Sequence, residues 1–395
     1  MGETSTTFHL TLSGDVYLKS KRTQTKLISR ARNNLNSALV ANGLDPSIRR
    51  IGTHRYEIVP GPGEAEVLIA AAQTVFGFAT LEAVTEVSFS TFEELIDNLA
   101  ALTGSSVTGR TFAVRARRAG NHTWRSLDLA RALGTALVGC GGRVDLTNPE
   151  ITVRVSVFDN RAYTVTDQWK VAGGLPLGTQ DRVLCLLSGG FDSAVAAWLL
   201  MSRGCPVDFV HFSLNCAQSD HALAVARELW ARWGHGTSPE VHLVEFQPVK
   251  DALFAEVEPS MRQVTLKVMM AKAASAIATE QRILALVTGD SLGQVSSQTL
   301  PHLAAVSGAA TVPMLRPLVG LPKESIIDLA RQIGTAELSA RAQEVCDLSG
   351  GSSVATSARA DRISRSVERI PDAVMADALT TRKTFDLIDW SPGRF

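Results

Sequence analysis

Hydrophobic positions follow two different rhythms in the two halves of this chain. In the first half, short segments alternate apolar and polar residues, as strands with one buried face do. Longer segments between them suit amphipathic helices. The predicted strands are residues 8–12, 55–59, 112–118 and 151–157, and the predicted helices are residues 20–40 and 126–138. This half is therefore predicted to have an α+β fold.

From residue 181 onward the pattern changes to repeated strand–helix pairs. The predicted strands are residues 183–187, 208–214, 241–246 and 285–288, and the predicted helices are residues 194–201, 221–233 and 263–279. Such alternation predicts a doubly wound parallel α/β sheet that binds ligands at the carboxyl ends of its strands. The glycine- and proline-rich residues 173–178 mark the boundary between the two halves.

Composition narrows the class of protein. A chain of 395 residues is too long for one ordinary domain, so two or three domains are expected. Hydrophobic residues make up 45% and charged residues 20%, which is typical of a soluble globular protein. The formal net charge is zero, so any binding of nucleic acid must depend on local basic patches.

Targeting signals and cysteine motifs are both absent from the sequence. The chain begins without a charged-then-apolar leader and has no run of about 18 apolar residues, so a cytoplasmic protein with no membrane partner is expected. The five cysteines form no C-x-x-C pair. This spacing argues against a disulfide framework, a structural zinc site and an iron–sulfur cluster.

Two basic patches lie in the first half of the chain. Residues 16–44 contain no acidic residue but include Lys19 and Lys21, and residues 110–143 contain seven arginines and one acid. Alternation along the predicted strand at 112–118 places Arg115 and Arg117 on one face, and Arg118 follows. A solvated helix face is the default explanation for one such patch. Two patches together predict an RNA-binding surface formed by these five residues.

The segment Ser-Gly-Gly-Phe-Asp-Ser, residues 188–193, carries the strongest chemical signal. It lies between a predicted strand and a predicted helix, where glycines allow backbone N–H groups and the helix N-terminus to approach an oxyanion. No Gly-Lys-Ser/Thr follows, so this is not a Walker loop. Asp192 cannot attract phosphate itself, but it could hold Mg²⁺ against phosphate oxygens or cap the helix.

These residues resemble the SGGxDS loop of the ATP-pyrophosphatase group, and further motifs resemble the ThiI family of tRNA 4-thiouridine synthetases. The string at 288–299 is similar to the family's TGEALGQVSSQT. Other similar motifs are residues 315–318, 323–324 and 330–335, and in the first half residues 75–77, 114–118 and 146–149. The resemblance implies a ferredoxin-like domain at 1–62, a THUMP domain at 63–172 and a PP-loop ATP-pyrophosphatase domain at 178–395.

The resemblance also implies a reaction. ATP would adenylate O4 of uridine 8 of tRNA with release of pyrophosphate, and persulfide sulfur would then displace AMP to leave 4-thiouridine. Asp192, Lys323 and Cys346 would be catalytic, with Mg²⁺ at Asp192. The expected nucleotide-binding residues are Leu187, Ser188, Gly189, Gly190, Asp192, Ser193, His211, Phe212, Gly289, Gln294, Ser297 and Lys323.

The chain departs from the family pattern at several positions. Asp290 and Ser291 replace the commoner Glu-Ala, and Cys216 stands where glycines are more usual. Many relatives carry a C-terminal rhodanese domain, whereas the 49 residues after Cys346 contain no cysteine. Sulfur is therefore expected from a cysteine desulfurase or another persulfide donor, or on Cys346 itself, with Cys216 as a possible second thiol. A homodimer is also expected.

Other functions remain open at this stage. One is a different PP-loop enzyme, such as an amidating ligase or another tRNA thiolase, and the arginine-rich half argues against a free small-molecule substrate. Another is a tRNA-binding protein without catalysis, which the intact loop, Lys323 and Cys346 argue against. A secondary role in thiazole sulfur transfer for thiamine is the third.

Overall fold

The chain forms two compact units. The computed structural model describes residues 7–45, 47–214, 216–342, 348, 355–356 and 358–393, with the backbone alone for 216–218. One unit contains the described residues up to Gly174 except Ser29–Asn34, and the other contains Ser29–Asn34 and the described residues from Leu175 onward. The division falls within the predicted boundary at 173–178.

The N-terminal unit is built on an eight-stranded mixed sheet with strand order β2-β3-β1-β4-β8-β7-β5-β6. Its elements are β1 (Thr7–Leu12), α1 (Gly14–Tyr17), α2 (Lys21–Ala41), β2 (Ser47–Ile51), β3 (Arg55–Val59), α3 (Ala65–Gln73), β4 (Phe78–Ser88), α4 (Phe92–Val107), β5 (Thr111–Ala119), α5 (Ser126–Gly139), β6 (Arg143–Val144), β7 (Ile151–Phe158) and β8 (Arg161–Lys170). All six elements predicted for this half are present, with ends shifted by a residue or so.

The sheet is continuous because β4 pairs with β1 on one side and with β8 on the other. Neither β4 nor β8 was predicted. Their pairing joins the strands before residue 62 to those after it in one sheet, and the subdivision of this half into two domains stays a prediction. Strand β5 runs parallel to both β6 and β7, and the other pairs are antiparallel.

Helices α4 and α5 cover part of this sheet. Leu95 and Leu99 of α4 share a buried cluster with Leu129, Leu133 and Leu137 of α5. The four-residue spacing of these leucines places them on one face of each helix. Helix α4 begins after Thr91, whose hydroxyl accepts a hydrogen bond from a first-turn N–H.

The C-terminal unit contains a six-stranded sheet with strand order β13-β12-β9-β10-β11-β14. Its elements are β9 (Val183–Leu186), α6 (Phe191–Met201), β10 (Val207–Ser213), α7 (Cys216–Trp233), β11 (Glu240–Glu245), α8 (Gln247–Glu256), α9 (Pro259–Glu280), β12 (Leu286–Val287), α10 (Leu300–Ala309), β13 (Met314–Leu315), α11 (Lys323–Ile333), α12 (Ala336–Ser339), α13 (Ala360–Glu368), α14 (Asp372–Thr380) and β14 (Lys383–Asp386), followed by a 3₁₀ turn (Leu387–Asp389).

Strands β9 to β13 are parallel, as expected, whereas β14 runs antiparallel to β11 at the edge of the sheet. The chain passes from β9 to β10 and β11 on one side, and then to β12 and β13 on the other. The order therefore reverses between β9 and β12. Ligands of doubly wound sheets bind at the carboxyl ends of the strands where such a reversal opens a crevice. Within the described residues, no helix is both long and apolar enough to cross a membrane.

Candidate active site

The loop after β9 forms the first wall of this crevice. Helix α6 begins at Phe191, and its N-cap Gly190 supplies no side-chain hydrogen bond to the helix. The first backbone N–H groups of a helix have no partner within it, so here they remain available to an anion. Gly189 has φ +82°, and a Cβ at that position would lie 3.0 Å from the Cα of Ala222. A side chain at this position would therefore be strained and crowded.

Two serine side chains hold the loop in shape. The backbone N–H of Ser188 donates to Oγ of Ser193 over 3.3 Å, and the two hydroxyl oxygens lie 3.2 Å apart. Ser193 is buried, whereas Ser188 is exposed. The loop is thus organised by its own residues, with backbone donors left at the start of α6.

Three residues that are distant in the sequence meet beside this loop. The Lys323 ammonium lies 2.7 Å from Oδ1 of Asp192, and the side-chain amide of Gln294 donates to Oδ2 over 2.9 Å. Lys323 also lies 5.6 Å from the centre of the Phe191 ring, within range of a cation–π contact. Both carboxylate oxygens of Asp192 are therefore partnered, and three of the predicted site residues form one cluster.

Gly289 brings the second wall of the crevice against the first. It follows β12, and a Cβ there would lie 2.6 Å from the carbonyl carbon of Asp192 and 2.8 Å from the backbone nitrogen of Ser193. Because those neighbours are backbone atoms, any side chain at 289 would push β12 away from α6. The structure thus gives a steric reason for glycine at this position.

His211, at the carboxyl end of β10, has one ring nitrogen without a partner. Nδ1 lies 2.9 Å from the carbonyl oxygen of Leu187, which can only accept, so Nδ1 carries the proton. Nε2 is then an acceptor that is buried without a hydrogen bond among the described residues. Burial lowers the pKa of His211 and keeps the ring neutral. A ligand that donates a hydrogen bond would satisfy this atom.

The other predicted nucleotide residues are mainly structural in their observed contacts. Phe212 is buried and packs against Phe246 with ring centres 4.6 Å apart, and Ser297 is buried in the segment after β12. Cys185 lies in β9, where burial raises the pKa of its thiol to about 12. That thiol is therefore inert at neutral pH.

Sequence reasoning missed a charged cluster around Asp290. The Asp290 carboxylate is 7% exposed and lies 3.1 Å from Nζ of Lys267 and 3.3 Å from Nε of Arg316. The hydroxyl of Thr288 donates to it over 2.8 Å. Burial opposes ionisation, but Lys267, Thr288 and Arg316 outweigh it and hold the pKa of Asp290 below its ordinary value. The sequence offered one signal for this cluster, because Asp290 stands where the resembled family more commonly has Glu.

A cavity of about 540 Å³ lies within the N-terminal unit. Its walls include four arginines, Arg55, Arg115, Arg117 and Arg154, with Glu82 as the acidic residue among the lining side chains. Arg115 of β5 is directly opposite Arg154 of the parallel strand β7. The sequence pointed to Arg115 and Arg117 but not to Arg154, which the pairing of β7 with β5 places beside Arg115, nor to Arg55, which lies on the distant strand β3.

Arg55 is fixed within this cavity, whereas three of the predicted RNA-binding residues, Arg118, Lys19 and Lys21, are not among its lining residues. The Arg55 guanidinium is buried and lies 3.8 Å from Glu82 and 3.2 Å from the Ser156 hydroxyl. Burial lowers its pKa although Glu82 opposes the shift. Arg118 instead lies 6.0 Å from the centre of the Trp124 ring. The exposed Lys19 and Lys21 precede and begin α2.

The two candidate sulfur-handling thiols are not located by the structure. Cys346 lies outside the described residues, and Cys216 begins α7 with its side chain also outside them. Within the described part of the chain, no three His, Cys, Asp or Glu side chains cluster as a metal site. Mg²⁺ at phosphate-transfer sites is held by one or two carboxylates together with substrate phosphates, so Asp192 beside the loop fits a metal that arrives with ATP.

Comparisons with known proteins agree with this arrangement. Residues 178–371 match the family model described as thiamine biosynthesis protein (ThiI), and residues 89–167 match the THUMP domain model. The tRNA sulfurtransferase of Desulfurococcus amylolyticus is 35% identical over 98% of this chain and 80% of its own length. The chain belongs to the tRNA sulfurtransferase family.

Other members and structures extend the match. A probable tRNA sulfurtransferase of Sulfurisphaera tokodaii is 32% identical over 91% of this chain and 94% of its own length. A solved 4-thiouridine synthetase, in complex with RNA and bound ATP, covers 96% of this chain and 99% of its own, with a TM-score of 0.79 and 25% identity. The tRNA sulfurtransferase fold thus extends over both units of the chain.

Proposed function

We propose that this protein is an ATP-dependent tRNA sulfurtransferase that converts uridine 8 of tRNA to 4-thiouridine. The observation that carries the proposal is the Asp192–Lys323–Gln294 cluster beside the glycine loop, at the carboxyl ends of β9 and β12. Such a crevice suits a nucleoside triphosphate, because it combines backbone donors, a helix N-terminus and a lysine.

The first chemical step would be adenylation. The uridine O4 attacks the α-phosphorus of ATP, the bond to the β-phosphate oxygen breaks, and pyrophosphate leaves. Backbone N–H groups at the start of α6, with Ser188 and Ser193, would hold the phosphates that leave. Lys323 would stabilise the negative charge that develops on the α-phosphate oxygens.

Asp192 would have two roles in this step. Its carboxylate orients Lys323 through the 2.7 Å contact, and Gln294 fixes the carboxylate from the other side. Mg²⁺ bound to Asp192 and to phosphate oxygens would supply charge neutralisation. Because both oxygens of this carboxylate are already held in place, it would need little rearrangement when ATP and Mg²⁺ bind. Such preorganisation favours catalysis.

The second step would replace oxygen by sulfur. A persulfide sulfur on Cys346 attacks C4 of the adenylated uridine, and AMP leaves with the former O4, so the new C4 sulfur is still joined to the sulfur of Cys346. A second thiol, proposed to be Cys216 or a thiol from outside this chain, then attacks the Cys346 sulfur and releases 4-thiouridine. The disulfide that this leaves must be reduced by an external thiol before the next turnover. AMP is a far better leaving group than an oxide, and this is why adenylation comes first. We propose Cys346 as the thiol that accepts sulfur from a cysteine desulfurase or another persulfide donor, since thiolates are the nucleophiles of sulfur exchange.

The arginine-lined cavity of the N-terminal unit is proposed to bind the tRNA. Arg115, Arg117 and Arg154 form no ion pair with any carboxylate among the described residues, so their charges are available to phosphates. Arginine forms paired hydrogen bonds with phosphate oxygens and is well suited to this role. Lys19, Lys21 and Arg118 are proposed as additional contacts beyond the cavity.

The test compares pyrophosphate release and 4-thiouridine formation on unmodified tRNA. Lys323→Met should reduce both by about a hundredfold or more, the typical effect of losing a group that stabilises transition-state charge. Lys272→Met removes an exposed lysine on α9 and is the matched control. Pyrophosphate release by Lys323→Met at the rate of the control would contradict the proposed site.

A further inference from the structure

We propose that Gln294 recognises the base of the target uridine, with its side-chain oxygen accepting a hydrogen bond from N3–H. This role rests on the proposed function and would determine which base is modified. Oε1 of Gln294 is buried and has no hydrogen-bond partner among the described residues. A buried acceptor without a partner costs free energy, and a ligand that donates a hydrogen bond to it would recover that cost.

The contact with Asp192 fixes the direction in which the Gln294 amide points. Nε2 donates to Oδ2 of Asp192 over 2.9 Å. A carboxylate can only accept hydrogen bonds, so a flipped amide would place two acceptors against each other. Oε1 is therefore held on the other side of the amide, about 2.2 Å from Nε2 by standard bond lengths. Its position is set before any ligand binds, which suits a recognition group.

The backbone around Gln294 is constrained as well. The N–H of Gly293 donates to the carbonyl of Gln298 over 2.8 Å, and the N–H of Gln298 donates to the carbonyl of Val295 over 2.9 Å. These bonds close the loop that follows β12 immediately before and after Gln294. The side chain thus projects from a loop that its own backbone holds in shape.

Gln294 lies beside the group proposed to act on the α-phosphate. Lys323 contacts Oδ1 of Asp192, and Gln294 contacts Oδ2 of the same carboxylate. In uracil, N3 is bonded to the carbon that carries O4. When O4 attacks the α-phosphorus near Lys323, N3–H is therefore the nearest donor on the base. One carboxylate thus holds both the cation for the α-phosphate and the acceptor for N3–H.

The surroundings of Gln294 suit a base better than a phosphate. Leu292 and Val295 are each 46% exposed. Val319, whose carbonyl accepts from the backbone N–H of Leu292 over 3.1 Å, is 42% exposed. Apolar side chains offer no hydrogen bond to a phosphate, but they can pack against the flat face of a pyrimidine, and ligand sites commonly combine such walls with a few polar groups. The backbone donors that suit phosphates lie instead at the start of α6.

An acceptor at this point distinguishes uridine from cytidine. N3 of uridine carries a hydrogen, whereas N3 of cytidine presents a lone pair that would oppose Oε1. A site built to bind an N–H group rejects analogues that lack it, because its own polar atom is then left unpaired. As O4 bonds to phosphorus, the ring loses electron density and N3–H becomes a stronger donor, so the hydrogen bond also favours the transition state. N3 keeps its hydrogen in 4-thiouridine, so Gln294 need not transfer a proton.

The test is competition between tRNAs that differ only at position 8, with a non-hydrolysable ATP analogue present. The probes carry uridine, cytidine or 3-methyluridine, and 3-methyluridine keeps O4 but lacks N3–H. The wild type should bind the uridine tRNA about tenfold more tightly than either of the others, the effect of one buried hydrogen bond. In Gln294→Ala the preference over 3-methyluridine should disappear, because the acceptor is gone and the methyl group has room.

Gln247→Ala is the matched control. Gln247 is exposed on α8 of the same unit, and its amide donates to Asp251 over 2.7 Å, so this variant also removes an amide–carboxylate contact. It should keep the full preference for uridine. Affinity for the ATP analogue should be unchanged in Gln294→Ala. A loss of that affinity with an intact preference for uridine would assign Oε1 to ATP and overturn the proposal.

Kinetics give an independent check. At saturating ATP, Gln294→Ala should lower kcat/KM for the uridine tRNA by roughly ten- to a hundredfold and leave KM for ATP near that of the wild type. Equal binding of the uridine and 3-methyluridine tRNAs by the wild type would overturn the role of Gln294, whatever the variants show. Failure of the wild type to release pyrophosphate with the uridine tRNA would instead contradict the proposed function.

Discussion

The two units of this protein organise charge in opposite ways. In the cavity of the N-terminal unit, arginines outnumber acids, and Arg115, Arg117 and Arg154 have no carboxylate partner in the described chain. In the crevice of the C-terminal unit, Lys323 is paired with Asp192, and Lys267 and Arg316 share Asp290. Unpaired cations suit binding to a polyanion, whereas paired charges suit the precise placement of reacting groups.

This difference has a physical basis in the two sheets. The arginines alternate along neighbouring strands, so their side chains emerge from one sheet face at regular spacing. The acids of the crevice instead follow strand ends or begin helices, where chain direction changes and distant segments converge. The sheet face of the N-terminal unit therefore offers many similar contacts to a ligand. The strand ends and helix starts that meet in the C-terminal unit offer a few specific contacts.

Asp192→Ala should have the largest effect and should separate the functions of the two units. Loss of the carboxylate frees Lys323 and removes the proposed metal ligand, so pyrophosphate release should fall by about 10²- to 10³-fold. Affinity for tRNA should stay unchanged, because the arginine cavity is intact. Asp328→Ala, which removes an exposed acid on α11, is the control. Weakened tRNA binding in Asp192→Ala would break the comparison.

Replacing Arg115, Arg117 and Arg154 together by Ala should have the second largest effect. Affinity for tRNA should fall by roughly tenfold or more, and the slope of log affinity against log salt should decrease by about 0.7 to 0.9 for each phosphate that is no longer neutralised. Filter binding at several salt concentrations measures both. Pyrophosphate release at saturating tRNA should remain. An unchanged slope would show that these arginines do not bind phosphates.

Asp290→Asn should have a smaller effect that depends on pH. The pKa of Asp290 is lower in the folded state than its ordinary value of about 4. Its carboxylate therefore stabilises the folded state at pH values above about 4. This contribution is lost as the pH falls through the folded-state pKa. The variant should be less stable by about 1–3 kcal/mol at pH 7, with the difference shrinking in acid.

The conservative variant Asp290→Glu sharpens this test. The longer carboxylate keeps the negative charge beside Lys267 and Arg316, so thermal unfolding at pH 7 should lie closer to the wild type than that of Asp290→Asn. If the difference between Asp290→Asn and the wild type is the same well below pH of about 4 as at neutral pH, then shape, not charge, determines the effect.

Arg118→Ala should have the smallest effect on tRNA affinity. Its guanidinium contacts Trp124 and the carbonyl of Gly120 instead of lining the cavity. One peripheral phosphate contact would change the salt slope by less than about 1. A loss of affinity as large as that of the triple variant would move the RNA-binding surface to the Trp124 side of β5.

Much of the fold could be predicted from the chain, but the two central strands of the N-terminal sheet and one edge strand of the C-terminal sheet could not. Apolar runs identified β9, β10 and β11, because buried parallel strands have a strong local pattern. Strands β4 and β8 were missed although they hold the N-terminal sheet together. β14 was also missed, since a short exposed strand acquires its identity by pairing with β11.

By itself the sequence predicted the glycine loop at 188–193, because its six residues are consecutive and their turn, donors and helix start are local properties. It also indicated Arg115 and Arg117, since alternation along one strand is local as well. Only the tertiary structure decided that Asp192 meets Lys323, 131 positions away, and Gln294, 102 positions away. The same holds for Arg154 opposite Arg115 and for the cations around Asp290. Those contacts depend on strand order and packing, to which residue spacing along the chain gives no direct guide.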